Sequence, residues 1–455
     1  MTIEAVNPAT GESLGTYEEM TPAEVDAIVA AAHDAWLQWR RLPFADRAEL
    51  MMGAADLLRQ RRGDYAGLMA DEMGKPLAGG RSEVDKCAWV CDYYAECAEE
   101  FLAPESIETD ASESFVGYQP LGVILAIMPW NFPFWQVFRF AAPGLMAGNA
   151  AVLKHASNVP GCALAIETIF RDAGFPEGIF RTLLIGSEAV EAVIENPRVQ
   201  AVTLTGSGPA GRAVASAAGK ALKKSVLELG GSDPYVILED ADLDHAVEAC
   251  VTSRLINSGQ SCIAAKRFVV VEARREEFEE RFVEMMGDMK MGDPHDGDTD
   301  VGPQAREDLR DQLHEQVERS IDLGARCPLG GEIPSGPGAF YPPTVLCDVG
   351  PGMPAYDEEL FGPVAAIIGV ADEAAAIEIA NDSVFGLGAA VFTADTARGR
   401  RIAAEELQAG CCFVNDFVRS DPRLPFGGIK ESGYGRELSR LGIREFVNAK
   451  TVWVA

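Results

Sequence analysis

The chain has 455 residues, 47% of them hydrophobic, which is enough for two or three packed domains and excludes a disordered or collagen-like polypeptide. Acidic residues outnumber basic ones 70 to 39, and the formal net charge of −31 disfavours nucleic acid and anionic membranes as partners, since both need a positive footprint. Only 10 of the basic residues are Lys, an acidic, Arg-leaning balance that fits either a high-salt cytoplasm or an ordinary acidic enzyme.

Met1 to Gly15 lacks the basic start and apolar run of a signal peptide, so a cytoplasmic location with reduced cysteines is expected. Thr21 to Gln38, Ala45 to Arg62 and Glu83 to Phe101 place apolar residues at three- and four-residue spacing and predict helices. Thr21 followed by Glu24 has the form of a capping box. Cys87 and Cys91 lie four apart on the third helix, as two metal ligands would, but no His or Cys flanks them; a packed face is the expectation, and no metal site.

From Ser106 to Gln119, β-branched and aromatic alternation predicts a projecting hairpin. Leu121 to Leu153 is the most apolar stretch, but Pro129, Asn131, Pro133, Arg139 and Pro143 interrupt it and argue against a membrane span. Short apolar strands then alternate with helices: Val123 to Met128, Ala150 to Lys154, Ile179 to Ile185, Val199 to Thr205 and Ser225 to Leu229. That alternation predicts parallel βαβ units, and a second series runs from Asp233 to about Gly428. The last strand-like run, Lys450 to Val454, is a candidate for pairing with another subunit.

Leu204 to Gly211 follows a predicted strand and opens a predicted helix, and Gly206, Gly208 and Gly211 satisfy G-x-G-x-x-G. With Ser207 it is a candidate pyrophosphate site at a helix N-terminus, a plain tight turn being the alternative. The same fingerprint would assign Glu228, 22 residues beyond Gly206, to a ribose. Its setting, Leu227-Glu228-Leu229-Gly230-Gly231 at a strand end, instead suits a catalytic carboxylate facing a cleft. Cys262 stands in a polar turn, Asn257 to Ala264, where backbone amides could stabilise a thiolate.

Pro129-Trp130-Asn131-Phe132-Pro133, Leu227 to Gly231, Gly259-Gln260-Ser261-Cys262 and Glu359-Leu360-Phe361-Gly362-Pro363 resemble, in order and spacing, the signature segments of the aldehyde dehydrogenase superfamily. The similarity runs from Asn7-Pro8-Ala9-Thr10-Gly11 to the C-terminal strand. It implies an α/β chain with a Rossmann-type cofactor domain (1–101 and 121–230), an α/β catalytic domain (231–430), and a small oligomerisation β-element (102–120 and 431–455), assembled as a homodimer or homotetramer. It also implies roles. Cys262 attacks the aldehyde carbon, the Asn131 amide and the Cys262 N–H hold the oxyanion, and Glu228 deprotonates the water that hydrolyses the thioester. Trp130, Leu229, Glu359 and Phe361 would line the nicotinamide side, with Glu359 on its ribose, and Lys154 would bind the adenosine ribose.

Where the common family pattern has Lys-Pro-Ala-Glu, this chain has Lys154-His155-Ala156-Ser157. Replacing the Glu by Ser157 removes a charge that would repel a 2′-phosphate, so NADP is expected over NAD, which remains the weaker alternative. Ser420 to Gly428, the Lys430 to Glu437 segment and Lys154 to Pro160 resemble succinate-semialdehyde dehydrogenases in particular. That likeness implies succinic semialdehyde as substrate, its carboxylate on Arg139 with a hydrogen bond from Ser420, between apolar walls from Trp135 and Phe426. Arg139 paired with a buried acid is the competing reading, and Arg423 is a competing cation better suited to a structural role. Ala264 stands where some relatives carry a second cysteine, so no local redox switch is expected. A cysteine hydrolase is the rival class, but none of the five histidines falls in these motifs; retention of Glu228 argues against CoA acylation.

Overall fold

The computed structural model describes residues 2–455, and two large sheets organise it. In the first sheet five parallel strands lie in the spatial order Lys224–Glu228, Val199–Thr205, Val123–Met128, Ala150–His155 and Phe180–Thr182. The chain enters at Val123–Met128, steps outward one way, then crosses to build the other side. Strand order therefore reverses beside Val123–Met128, and the crevice past the carboxyl ends of such strands is where an open α/β sheet binds ligands. Trp130 and Asn131 follow one of these strand ends, and Gly206 to Gly211 follow its neighbour.

The second sheet has seven strands, in the order Arg326–Leu329, Thr344–Cys347, Val364–Val370, Arg267–Val271, Pro234–Ile237, Gly388–Phe392 and Cys411–Val414. All neighbours run parallel except the first pair. Strands such as Arg267–Val271 and Gly388–Phe392 are buried along their whole length, as helices on both faces require. No helix among the described residues is long and apolar enough to cross a membrane.

The N-terminal helices are Pro22–Trp39, Phe44–Gln60, Arg62–Met73 and Leu77–Phe101. The capping box is formed: Glu24 N–H donates to Thr21 Oγ1 at 3.3 Å and Thr21 N–H to Glu24 Oε2 at 2.7 Å. Two elements escape the sequence reading. The antiparallel pair Thr2–Val6 and Ser13–Glu18 is largely exposed and carries little apolar alternation. Arg62–Met73 has its period diluted by Gly63 and Gly67, and becomes a helix by packing on Leu77–Phe101. Cys87 and Cys91 are both fully buried on Leu77–Phe101, as packing residues.

The third sheet refines one expectation. Val447–Val454 pairs antiparallel with Glu113–Pro120 of the same chain along one side, and as the outer strand of the three-stranded sheet it keeps its other edge unpaired. The arm is also shorter than 431–455: Gly433–Tyr434 hydrogen-bonds to Lys224–Glu228, and Leu438, Ile443 and Phe446 pack into the core of the first sheet. Apolar residues at i, i+5 and i+8 need somewhere to bury, and that core is the nearest.

Helix Trp135–Met146 is buried at every position and carries two of the four predicted substrate residues, Trp135 and Arg139, so its placement matters most. Its start is fixed by Glu83, whose Oε1 accepts the N–H groups of Phe134 and Trp135 at 2.9 Å each, while the other oxygen pairs with Lys75. Both partners of that ion pair are buried, so removing one leaves an uncompensated charge. Glu83→Ala is expected to cost about 3–5 kcal/mol of unfolding free energy, and Glu83→Gln less, because it keeps the acceptor; urea denaturation of both variants checks this, and a loss in Glu83→Ala below about 1 kcal/mol contradicts it.

Candidate active site

The loop that carries Cys262 is bent by three consecutive left-handed residues, Asn257, Ser258 and Gly259, with φ of 54°, 55° and 76°. Gly259 is required there: a Cβ would overlap the Gly362 carbonyl and lie 2.7 Å from the Pro363 nitrogen. The nucleophile loop and the Glu359 to Pro363 segment thus touch backbone to backbone. Gln260 anchors the turn, accepting from Ala305 N–H at 2.8 Å and donating to the Pro303 carbonyl at 3.2 Å.

Asn131 reaches this loop from the other sheet. Its Nδ2 donates to the Gln260 carbonyl at 3.1 Å, and its own carbonyl accepts from Asn257 Nδ2 at 2.7 Å. One amide hydrogen is used in this way, and the second has no acceptor among the described residues. His155 Nε2 donates to the Pro133 carbonyl at 2.9 Å, while its Nδ1 accepts from Ala156 N–H, so the ring is neutral and ties the Asn131 turn to the adjacent strand. Burial lowers its pKa to about 4.

Cys262 opens on a cavity of about 320 Å3 that also exposes Trp135, Arg139, Ser420 and Phe426. All four predicted substrate residues therefore meet the predicted nucleophile. Burial pushes the Cys262 thiol up to about 12, with Lys266 and Arg139 opposing the shift. None of the five histidines lines the cavity, which removes the geometric basis for a cysteine–histidine hydrolase.

Arg139 is only partly what the sequence leads one to expect. It lies in the cavity wall, 4.8 Å from the Phe426 ring centroid, but its guanidinium is ion-paired with buried Glu437 and donates to Thr205 Oγ1 at 3.2 Å. The competing reading of a buried pair thus holds together with the cavity-facing one. Arg423 is held bidentately by Asp421 at 2.9 and 2.6 Å on the surface, a structural role. Arg419 at the rim is likewise held by Asp416.

Glu228 does not line the cavity. It is 2% exposed, neither carboxylate oxygen has a hydrogen-bond partner among the described residues, and Oε1 lies against Gly427. Burial raises its pKa well above the carboxylate range, neighbouring Glu437 adds to the rise, and Arg139 and Arg436 oppose it. Glu437 and Lys266 are functional neighbours that motif reasoning did not single out. Glu437 stood within the Ser432 to Glu437 segment, and Lys266 stood four residues beyond the nucleophile, each without a local signal of its partner.

Lys266 is fully buried, donates to the carbonyls of Ser261 and Cys262 at 2.7 and 2.8 Å, and pairs with Glu359 at 3.3 Å. Glu359 Oε1 also accepts from Gly231 N–H at 3.0 Å, and Phe361 packs edge-on against Trp130 at 5.7 Å. The far end of the crevice is wider. Lys154 lines it with Ser157 and Asn158 on one side and with Ala210 and Val214 of helix Gly208–Lys220 on the other. Lys154 has no ion-pair partner among the described residues, and both side-chain polar atoms of buried Asn158 lack one as well. Ser207 caps the Gly208–Lys220 helix without a side-chain bond to it, and Leu229 packs so closely on Gly211 that a Cβ would meet its methyls at 2.6 Å. A cation, two hydroxyls, an unpartnered amide and a bare helix N-terminus form a donor set that fits a phosphorylated dinucleotide.

The family model described as the aldehyde dehydrogenase family matches residues 1–452. A protein of Synechocystis sp. named as a probable NADP(+) succinate-semialdehyde dehydrogenase is 54% identical over 455 residues, covering all of both chains. NADP(+) succinate-semialdehyde dehydrogenase 1 of Mycobacterium tuberculosis is 51% identical over 458 residues, again covering all of both. The crystal structure of succinic semialdehyde dehydrogenase from Streptococcus pyogenes in complex with NADP+ superposes with a TM-score of 0.97 at 40% identity, covering 99% of each chain.

Because the Cys262 thiol is held near 12, its thiolate fraction should grow about tenfold per pH unit throughout the neutral range. Alkylation of Cys262 by iodoacetamide in the protein without dinucleotide, followed by peptide mass spectrometry, is expected to accelerate accordingly from pH 7 to 9. A rate that levels off below pH 8 contradicts the buried-thiol assignment.

Proposed function

The chain belongs to the aldehyde dehydrogenase family, and from that premise we propose that it oxidises succinic semialdehyde to succinate with NADP as hydride acceptor. The observation that carries the substrate reading is the cavity that joins Cys262 to the apolar faces of Trp135 and Phe426 and to the polar groups of Arg139 and Ser420. The names of the two 51–54% identical relatives support the same substrate and cofactor.

Cys262 gives its thiol proton to solvent water and its Sγ attacks the aldehyde carbon, the carbonyl π pair moving onto the oxygen, whose negative charge faces the free hydrogen of the Asn131 amide and the Cys262 N–H. Lys266 and Arg139 lower the cost of the thiolate that this step needs. NADP, when bound, accepts the hydride that leaves the thiohemiacetal carbon. The thioester left on Cys262 is then attacked by water, whose proton goes to Glu228, and the thiol is released as succinate forms. For this Glu228 rotates from its place beside Gly427 toward the cavity, where contact with water relieves the desolvation that raises its pKa.

Ser157 and Lys154 would hold the 2′-phosphate of the adenosine ribose, Gly206, Ser207 and Gly211 would let the pyrophosphate approach the helix N-terminus, and Glu359 with Trp130, Leu229 and Phe361 would border the nicotinamide side. A cytoplasmic homodimer or homotetramer is the assembly proposed, its contact surface including the outer sheet, where Ile107, Trp453 and Val454 are exposed.

Absorbance of reduced cofactor with a panel of aldehydes, with NADP or NAD and with or without CoA, tests the reading. Succinic semialdehyde with NADP should give the highest kcat/KM without any need for CoA. Ser157→Glu is expected to lower kcat/KM for NADP by about a hundredfold or more, since the new carboxylate faces the 2′-phosphate, while NAD loses far less. A wild-type preference for NAD of tenfold or more overturns the cofactor assignment.

A further inference from the structure

Four cationic side chains border the cavity, and three of them are neutralised. Lys75 is paired with Glu83, Arg139 with Glu437, and Arg419 with Asp416. The fourth is Lys86, on helix Leu77–Phe101, which has no carboxylate within ion-pair distance among the described residues. Its Nζ lies 4.4 Å from the centroid of the Trp135 ring and donates to Ser420 Oγ at 2.8 Å. Ser420 accepts with its oxygen in that bond, so its hydroxyl hydrogen is left to donate elsewhere. An ammonium and a hydroxyl hydrogen are thus presented side by side at the wall of the cavity that holds Cys262.

Building on the succinic semialdehyde reading above, we propose that Lys86, acting with Ser420, is the receptor for the distal carboxylate of the substrate and sets the preference for aldehydes that carry one. A carboxylate is bound most strongly by a cation not already compensated, in a wall whose apolar faces exclude water. Arg139, with Glu437 on one edge and Thr205 on another, offers a largely balanced charge to the same cavity. Lys86 offers net charge. The aromatic face of Trp135 holds the ammonium without neutralising it.

The electrostatics around Lys86 give an additional readout. Burial and the neighbouring Arg139 lower its pKa to about 8, and Cys87 and Glu83 on its own helix and Asp421 on the facing segment oppose them. The ammonium is therefore charged below about pH 8 and loses its proton above it, whereas the substrate carboxylate stays ionised throughout. KM for succinic semialdehyde should rise as pH increases from 7 to 9.

The test compares succinic semialdehyde with butanal, an uncharged aldehyde of the same chain length, in the wild type, Lys86→Gln and Lys86→Arg holoenzymes at saturating NADP. In Lys86→Gln the ratio of kcat/KM for succinic semialdehyde to that for butanal should fall tenfold or more, with the change in KM rather than kcat. Lys86→Arg should recover most of the ratio and abolish the rise of KM between pH 7 and 9. A ratio unchanged in Lys86→Gln, in an enzyme whose wild type prefers succinic semialdehyde, overturns the role of Lys86 alone. An equal loss on both aldehydes does the same by marking a structural effect. A wild type that oxidises butanal as well as succinic semialdehyde overturns the parent reading and this inference with it.

Discussion

One buried ammonium holds the site together. Lys266 donates to the carbonyls of Ser261 and Cys262 and pairs with Glu359, and Glu359 in turn accepts from Gly231, three residues past Glu228. A single side chain with no exposed surface therefore links the nucleophile loop, the segment that borders the nicotinamide side, and the turn after the candidate base. Burying such a charge is costly, and desolvation lowers its pKa, so the arrangement persists only because two carbonyl acceptors and an anion surround it. The constraint transmits position. If Glu359 shifts, Lys266 and the Cys262 carbonyl must follow or leave a buried charge unpaired. The backbone contact at Gly259 enforces the same closeness by sterics, so charge and shape agree on one geometry.

The rest of the cavity repeats this logic with pairs. Lys75 with Glu83 fixes the start of helix Trp135–Met146, and Arg139 with Glu437 fixes its middle against the strand end that carries Glu228. These pairs are specificity devices more than sources of stability, because desolvation offsets much of their attraction. Their functional effect is to clear net charge from the cavity except where a substrate can use it. Burial raises the pKa of both Glu228 and Cys262, and the neighbouring cations, Arg139 for both and Lys266 for the thiol, oppose it.

The alternation of strand and helix after Val123, the capping box at Thr21, the core cysteines at Cys87 and Cys91, and the motif residues Cys262, Asn131, Lys154 and Ser157 were all legible along the chain, since each depends on neighbours within a turn or a strand. Helix Arg62–Met73 and the hairpin Thr2–Val6 with Ser13–Glu18 were not, because their stability comes from distant surfaces. The terminal strand was legible as a strand but not in its partner. Register with Glu113–Pro120 is a property of two segments more than 300 residues apart.

The sequence by itself determined which chemical groups are available: a cysteine, an acid, an amide and a cofactor cleft with Ser157 where an acidic residue would exclude a 2′-phosphate. Only the tertiary structure decided which charges remain free. Arg139 reads along the chain as the carboxylate ligand because its helix points into the right stretch, yet Glu437, 298 positions away, compensates it. Lys86 has no motif around it to single it out along the chain, and packing turns it onto Trp135 and Ser420 with no acid within ion-pair distance among the described residues. The physical reason is that residue type is a local property, whereas net charge and pKa belong to everything within a few ångströms, and that company is chosen by the fold.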